Sequence, residues 1–469
     1  MELGWGLTAL LTPVLYGVAL LTVLLTLFYR IEIGIYFLAF FLPLQNVLDY
    51  VNVYPMGKDI NDILLAVLLV KWMLLKRKSG DQFLFSSPIL VPIALLFIWT
   101  WLGVINGSEY LGMGFPTSLA NPLVVAWKNY WMPVVLFFIV CNNIKNPRQI
   151  KILVLVTMAS ILMLDRNFYS ILSGLDLGHY SDELKDKYLS GGISLSGNEL
   201  AVFLAQYVVI FVALFFYDDH PVRKYFYLFT IALSYYCILF LFSRGGYLAA
   251  GAGLLFMGLI RERKLLLLLF IVFIFYQTLL PNAVIERIEM TKTESGYDGT
   301  ALQRLGMWEQ AQGMISEKPI YGWGFFITPF IEVKAGWHFG SRAWGSFHNN
   351  FFQTTVELGI IGLALVLWIY FAGMWLGWRL FKISQDPFAK GLGLGMATCA
   401  ISILAGNLNG SYWHFFTISS FYWIYLALVV RLIAMEEKVT AEDEETNAAD
   451  DALTDNQVPL AGWSEEIIR

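Results

Sequence analysis

Thirteen apolar stretches follow one another along this 469-residue chain, each long enough or nearly long enough to cross a bilayer. They lie at approximately 7–29, 33–48, 60–75, 88–105, 121–141, 149–171, 193–217, 222–242, 245–260, 264–281, 351–377, 390–410 and 412–431. About 20 mostly apolar residues span the hydrocarbon core as a helix. In lipid only a helix or a closed barrel satisfies its own backbone. The series therefore predicts an all-α, polytopic integral membrane protein of about 12–13 transmembrane helices. Composition agrees: 58% of residues are hydrophobic and 14% charged, against roughly 25% charged in soluble domains. A disordered chain, a disulfide-stapled secreted domain and an ordinary cytosolic enzyme are excluded. The three cysteines, Cys141, Cys237 and Cys399, form no C-x-x-C pair, so neither a disulfide framework nor a thiolate metal site is expected. The first stretch lacks a basic flank and a small-residue cleavage site, and reads as a retained span.

Charge is unevenly placed. From Glu436 to Arg469 there are eleven acidic and two basic residues. Elsewhere the basic clusters are Lys76-Arg77-Lys78, Lys145 with Arg148, Arg223-Lys224, Arg261 with Arg263-Lys264, and Arg379 with Lys382. All fall in alternate connections, which makes those loops cytoplasmic by the positive-inside rule. The opposite, outer connections are 49–59, 106–120, 172–192, 282–350 and the turn near 410, and the N-terminus is outside by the same parity. Four regions are expected: transmembrane helices 1–10 over 1–281, a large periplasmic loop with short helices over 282–350, C-terminal transmembrane helices over 351–431, and an acidic, disordered cytoplasmic tail over 432–469. The loop should hold a helix from Ala301 to Ile315 and a small cap containing Y-G-W-G-F-F, 321–326. No basic stripe supports nucleic-acid binding. No Walker loop supports ATP drive.

Four constellations carry chemistry. S-R-G-G-Y, 243–247, puts Arg244 near the outer interface, where an arginine snorkels or finds a partner. S-F-H-N-N-F-F-Q-T-T-V-E-L-G-I-I-G, 346–362, puts His348 where the long loop re-enters the membrane, and imidazole suits proton transfer near neutral pH. Asn349 and Asn350 read first as helix caps, and Glu357 as an intramembrane carboxylate facing a polar cavity. L-Q-R-L-G-M-W, 302–308, puts Arg304 on the loop helix; a solvated loop cation is the plainer reading. L-S-G-N-E-L-A, 195–201, carries Asn198 and Glu199, which also fit an ordinary helix start. His414 could line a cavity, whereas His179 and His338 read as loop residues. Two arginines and a histidine without metal-ligand spacing suggest an anionic substrate, since guanidinium forks match phosphate oxygens. A diphosphate leaving group fits.

In their order, S-R-G-G-Y, R-x-x-x-W, P-I-Y-G-W-G and H-N-N-F-F-Q-T-x-V-E-L-G-I-I-G resemble the O-antigen ligase and polymerase superfamily of bacterial membrane glycosyltransferases, best over residues 190–365. The resemblance implies a cofactor-free, metal-independent transferase of the bacterial cytoplasmic (inner) membrane. It would move a glycan from an undecaprenyl diphosphate carrier to an acceptor hydroxyl on the periplasmic face, among membrane lipids. Arg244 and Arg304 would hold the diphosphate, and His348 would orient or deprotonate the acceptor. Asn198, Glu199, Asn349 and Glu357 would line the substrate site. Family members often carry an arginine where this chain has Lys187 and Tyr188, so Lys187 would serve as a point charge there. Acceptors could be lipid A-core, a protein hydroxyl or another lipid-linked glycan, so ligase and repeat-unit polymerase remain open. A transporter of lipid-linked sugars is the rival, disfavoured because midplane charges are few.

Overall fold

The computed structural model describes residues 8–79, 86–181, 183, 195–290, 292–293, 296–297, 299–330 and 346–455. The helices are α1 (Thr8–Phe28), α2 (Ile31–Phe41), α3 (Ile60–Ser79), α4 (Leu90–Tyr110), α5 (Pro122–Asn143), α6 (Pro147–Leu172), α7 (Gly197–Tyr217), α8 (Pro221–Phe240), α9 (Arg244–Ile260), α10 (Arg263–Ile274), α11 (Asn282–Glu289), α12 (Gly299–Glu317), α13 (Asn350–Ile383), α14 (Pro387–Gly406) and α15 (Phe416–Asp455). A two-residue antiparallel pair, Lys292–Thr293 with Gly296–Tyr297, joins α11 to α12. The protein is an all-α polytopic membrane protein. Among the described residues, eight helices are long and apolar enough to cross a bilayer: α1, α4, α5, α6, α7, α13, α14 and α15. The stretch around α2 and helix α9 are apolar but shorter.

The tail corrects one expectation. Instead of losing structure at 432, α15 stays helical to Asp455. The reason lies in A-E-D-E-E and A-A-D-D-A, whose alanines and glutamates are strong helix formers.

Helices α7 and α14 form the centre of the bundle, and α9 and α13 pack against α14. α7 is apolar all round and is buried continuously from Leu200 to Leu214, as expected of a helix enclosed by others. Close approach depends on small residues. In α14, a Cβ at Gly393 would lie 2.7 Å from the Gly377 carbonyl of α13, and one at Gly395 would lie 2.8 Å from Ile210 Cα of α7.

α13 is broken. Gly359 has φ 68° and ψ −173°, a conformation an L-residue adopts only under strain. The break frees carbonyls inside the apolar region, where an unsatisfied one is costly. They are taken up locally: the Trp323 N–H donates to Val356 O at 2.8 Å, the Gly324 N–H to Glu357 O at 2.9 Å, and Trp99 Nε1 to Leu358 O at 2.8 Å. On the far side of the break, the Ile360 N–H donates to Pro319 O at 2.9 Å. Y-G-W-G-F is thus a wedge between α4 and α13, where the sequence suggested a surface cap. Its other edge is held by the Phe325 N–H on Gly103 O at 2.9 Å.

Tracing the helices separates two ends of the bundle. α9 starts at Arg244 and stops before Arg261, and α13 starts at Asn350 and reaches Lys382. α5 ends just before Lys145. The basic clusters therefore gather at one end, and the candidate residues at the other.

Candidate functional site

The turn between α14 and α15, N-L-N-G-S-Y-W-H at 407–414, organises the site. Arg304 of α12 donates through Nη1 to Asn409 Oδ1 at 3.2 Å. The Asn409 Cβ is 3.1 Å from where a Gly245 Cβ would stand, which places the turn against the first residues of α9, next to Arg244. Ser243 caps that helix, its side chain accepting from the Gly246 N–H. Arg244 is half-buried. Immediately before it, Phe242 sits at φ 49°.

His348 reaches the same turn from the loop side. Its N–H donates to Ser346 Oγ at 3.1 Å, and Ser346 Oγ is 2.9 Å from Ser411 Oγ. Two residues on, the Asn350 N–H donates to Asn407 O at 2.9 Å. Asn407 Oδ1 also accepts from the Tyr412 and Trp413 N–H groups at 3.1 and 3.2 Å. His348 itself has φ 50°. Left-handed backbone at a non-glycine residue costs free energy and concentrates at functional sites. Burial, and then the positive charge of Arg304, hold the His348 imidazole below its ordinary pKa of 6.5. It is therefore neutral near pH 7, the form that accepts a proton. The Tyr412 hydroxyl is pushed up to about 12 by burial, with Arg304 opposing the shift and Glu199 adding to it. Arg304, Glu199 and Tyr412 accordingly share one neighbourhood.

A cavity of about 590 Å³ opens beside His348. Tyr130 of α5, Phe325 of the wedge, Gln353 of α13, Ser411 and His414 also line it. Its mix of aromatic faces and few polar groups is typical of ligand pockets.

The other expected site residues fall as follows. Asn349 caps α13, its Oδ1 accepting from Phe351 and Phe352 N–H groups at 2.9 and 3.2 Å. Glu199 closes a capping box at the start of α7, accepting from the Ser196 N–H at 2.9 Å; Asn198 is half-buried in the same turn. Glu357 is fully buried beneath the cavity. Its Oε1 accepts from Thr328 Oγ1 at 2.7 Å and from Gln353 Nε2 at 3.2 Å, while His414 Nε2 lies 3.5 Å from its Oε2. Lys187 and His338 lie outside the described residues. Sequence reasoning missed Asn407 and Asn409 and gave little weight to His414. The available signal was a polar run interrupting two apolar spans, together with an intramembrane Glu357 that needed a partner.

Fold and site together define a polytopic helical membrane protein with a largely aromatic pocket carrying a few polar groups at one end, framed by a broken helix and a wedge loop. Residues 229–367, from within α8 through the first half of α13, match the family model described as O-antigen ligase. That stretch contains Arg244, Arg304, His348 and Glu357, and through it the chain is similar to the O-antigen ligase superfamily. A provisionally named polysaccharide ligase of Rickettsia felis is 27% identical over 157 residues, 31% of this chain and 37% of that protein. The exopolysaccharide production protein ExoQ of Rhizobium meliloti is 34% identical over 137 residues, 26% of this chain and 31% of that protein. A second provisionally named polysaccharide ligase, from Rickettsia conorii, is 29% identical over 158 residues, 31% and 36% of the two chains. The matched stretch spans about a third of the length of these relatives.

Proposed function

We propose that the chain is a polysaccharide ligase-type glycosyltransferase. It takes a glycan from a polyprenyl diphosphate carrier, undecaprenyl diphosphate in a bacterial membrane, and passes it to an acceptor hydroxyl at the outer face. The observation that carries this reading is the convergence of Arg304, the Arg244 helix start and His348 on one turn beside a cavity. In the reaction, the acceptor oxygen bonds to the anomeric carbon as the bond from that carbon to the diphosphate oxygen breaks. The electron pair leaves on the diphosphate, and His348 takes the acceptor proton. Arg244 and Arg304 neutralise the charge that grows on the leaving group, and a fixed cation of this kind typically contributes roughly 10²–10³ in rate. A general base adds about 10²–10⁴. With arginines in the charge-neutralising role, no metal is required by this reading. The basic clusters at the far end of the bundle support this sidedness, since the positive-inside rule favours the cytoplasm for such clusters. Ligase and repeat-unit polymerase share this chemistry and differ in acceptor.

The test is transfer by purified protein reconstituted with a lipid diphosphate-linked glycan and candidate acceptors, with and without EDTA. Transfer that survives chelation supports the reading. Loss on chelation with rescue by added divalent cation contradicts the arginine mechanism.

A further inference from the structure

A second cleft lies at the opposite end of the bundle. It holds about 720 Å³ and is walled by the link from α1 into the start of α2, the last turns of α3, the end of α5 and the start of α6. α5 fixes its distance from the site: Ala126 and Tyr130 line the first cavity and Asn142 the second. Sixteen residues of helix put the two roughly 24 Å apart along the bundle axis.

Among the described residues, five cations line this cleft, Arg30, Lys71, Lys76, Lys78 and Lys145, with a single carboxylate, Glu32. Glu32 is already engaged, accepting from Gln149 Nε2 at 2.5 Å and lying 3.4 Å from Arg30 Nη2. Lys71 is held at the mouth by a hydrogen bond of 2.8 Å from Nζ to Leu27 O. Lysines on the last turn of α3 complement its dipole, and a basic rim is ordinary at a cytoplasmic boundary. Those two facts account for charge on each helix end. They do not account for cations from three chain segments converging in one concave space with a single, committed acid.

Tyr29 and Leu75 form part of the cleft wall and are 68% and 39% exposed. They continue into an outward apolar face, with Phe28 at 76%, Met73 at 52% and Leu74 at 55% exposed. In a membrane protein such a face meets acyl chains. The ligand that fits both surfaces is an amphiphile with an anionic head.

We infer that this cleft is a binding site for an anionic phospholipid, the phosphate head held by the five cations and the acyl chains lying on the exposed faces of α1 and α3. Basic pockets between spans suit such heads, and each lysine near the surface adds attraction. The inference is independent of the reaction proposed above.

Native mass spectrometry of the full chain in a neutral detergent tests it, with phosphatidylglycerol or phosphatidylcholine as probe. Wild type should retain phosphatidylglycerol in preference to phosphatidylcholine. Lys76→Gln/Lys145→Gln should lower phosphatidylglycerol affinity by about tenfold or more. Arg263→Gln/Lys264→Gln removes two exposed charges at the same end but outside the cleft, and should leave affinity unchanged. Should the double cleft variant misfold, the single Lys145→Gln serves, with a several-fold loss expected. Equal loss in both charge pairs, or no preference between the lipids, overturns the site. Displacement of the lipid by millimolar inorganic phosphate also overturns it, since the cleft would then be a soluble-anion site.

Discussion

Arg304 and Asn409 stand 105 residues apart in the chain and are joined by a hydrogen bond of 3.2 Å. This bond ties the loop helix α12 to the turn that also touches α9 and the His348 segment. It fixes where the guanidinium sits before any substrate arrives.

Asn409→Ala should therefore weaken catalysis without unfolding the protein. A hydrogen bond to a charged group contributes about 1.5–3 kcal/mol, so a loss of roughly tenfold or more in kcat/KM is expected. Steady-state transfer with titrated donor checks it. Unchanged kinetics would mean that Arg304 is positioned by something else.

The pH profile reports on His348. Its pKa is lowered by burial and by Arg304, so a base in this position loses activity only as pH falls below its lowered value. Arg304→Gln removes one of the two causes and should move the acid limb of kcat/KM to higher pH. An acid limb that stays in place would separate the histidine from the arginine.

Gly359→Ala should be among the more destabilising single changes. The new Cβ would collide with the Ile320 carbonyl, and the φ of 68° alone costs an L-residue on the order of 1–3 kcal/mol. Thermal unfolding in detergent should show a drop of several degrees. A variant as stable as wild type would show that the wedge and the broken helix can shift together.

An exposed latch gives a second pH dependence. His179 Nδ1 lies 2.8 Å from Glu286 Oε1, and the Tyr180 N–H donates to Glu286 Oε2 at 2.8 Å. The His179 pKa is raised from 6.5, first by its hydrogen bond to Glu286. That contribution is fully present below 6.5 and is lost as pH rises through the raised value. The Glu286 pKa is lowered from 4.5, first by its hydrogen bond to His179, so its contribution is present above 4.5 and lost as pH falls through the lowered value. Both are in place between 4.5 and 6.5. Hydrogen exchange of 282–289, corrected for intrinsic rate, should be slowest in that window and speed up above it. His179→Gln should abolish the pH dependence.

Much of this was legible in the sequence. Apolar length located the helices because a span must satisfy its own backbone. Arg244 and His348 were visible because a charge or an imidazole at the edge of an apolar run is exceptional. The helix over Ala301–Ile315 emerged as α12. The break at Gly359 was not visible: V-E-L-G-I-I-G keeps helical hydropathy, and only the carbonyls taken by Trp323, Gly324 and Trp99 reveal it. Asn409 escaped because its role depends on a contact across 105 residues. His414 escaped because a lone histidine gains meaning only beside Glu357. The helical tail escaped because acidic composition pointed to disorder while its alanines and glutamates favoured helix.

The central claim is that Arg244, Arg304 and His348 act on one lipid diphosphate donor, the arginines by binding it and the histidine by taking the acceptor proton. The most direct measurement is donor binding alongside single-turnover transfer for folded Arg244→Lys, Arg244→Ala and His348→Ala. Arg244→Lys should lose nearly as much as Arg244→Ala, because a point charge lacks the bidentate fork. His348→Ala should bind donor nearly as wild type while transfer falls by about 10²–10⁴. Full transfer by His348→Ala, or unimpaired binding and transfer by Arg244→Ala, would contradict the account.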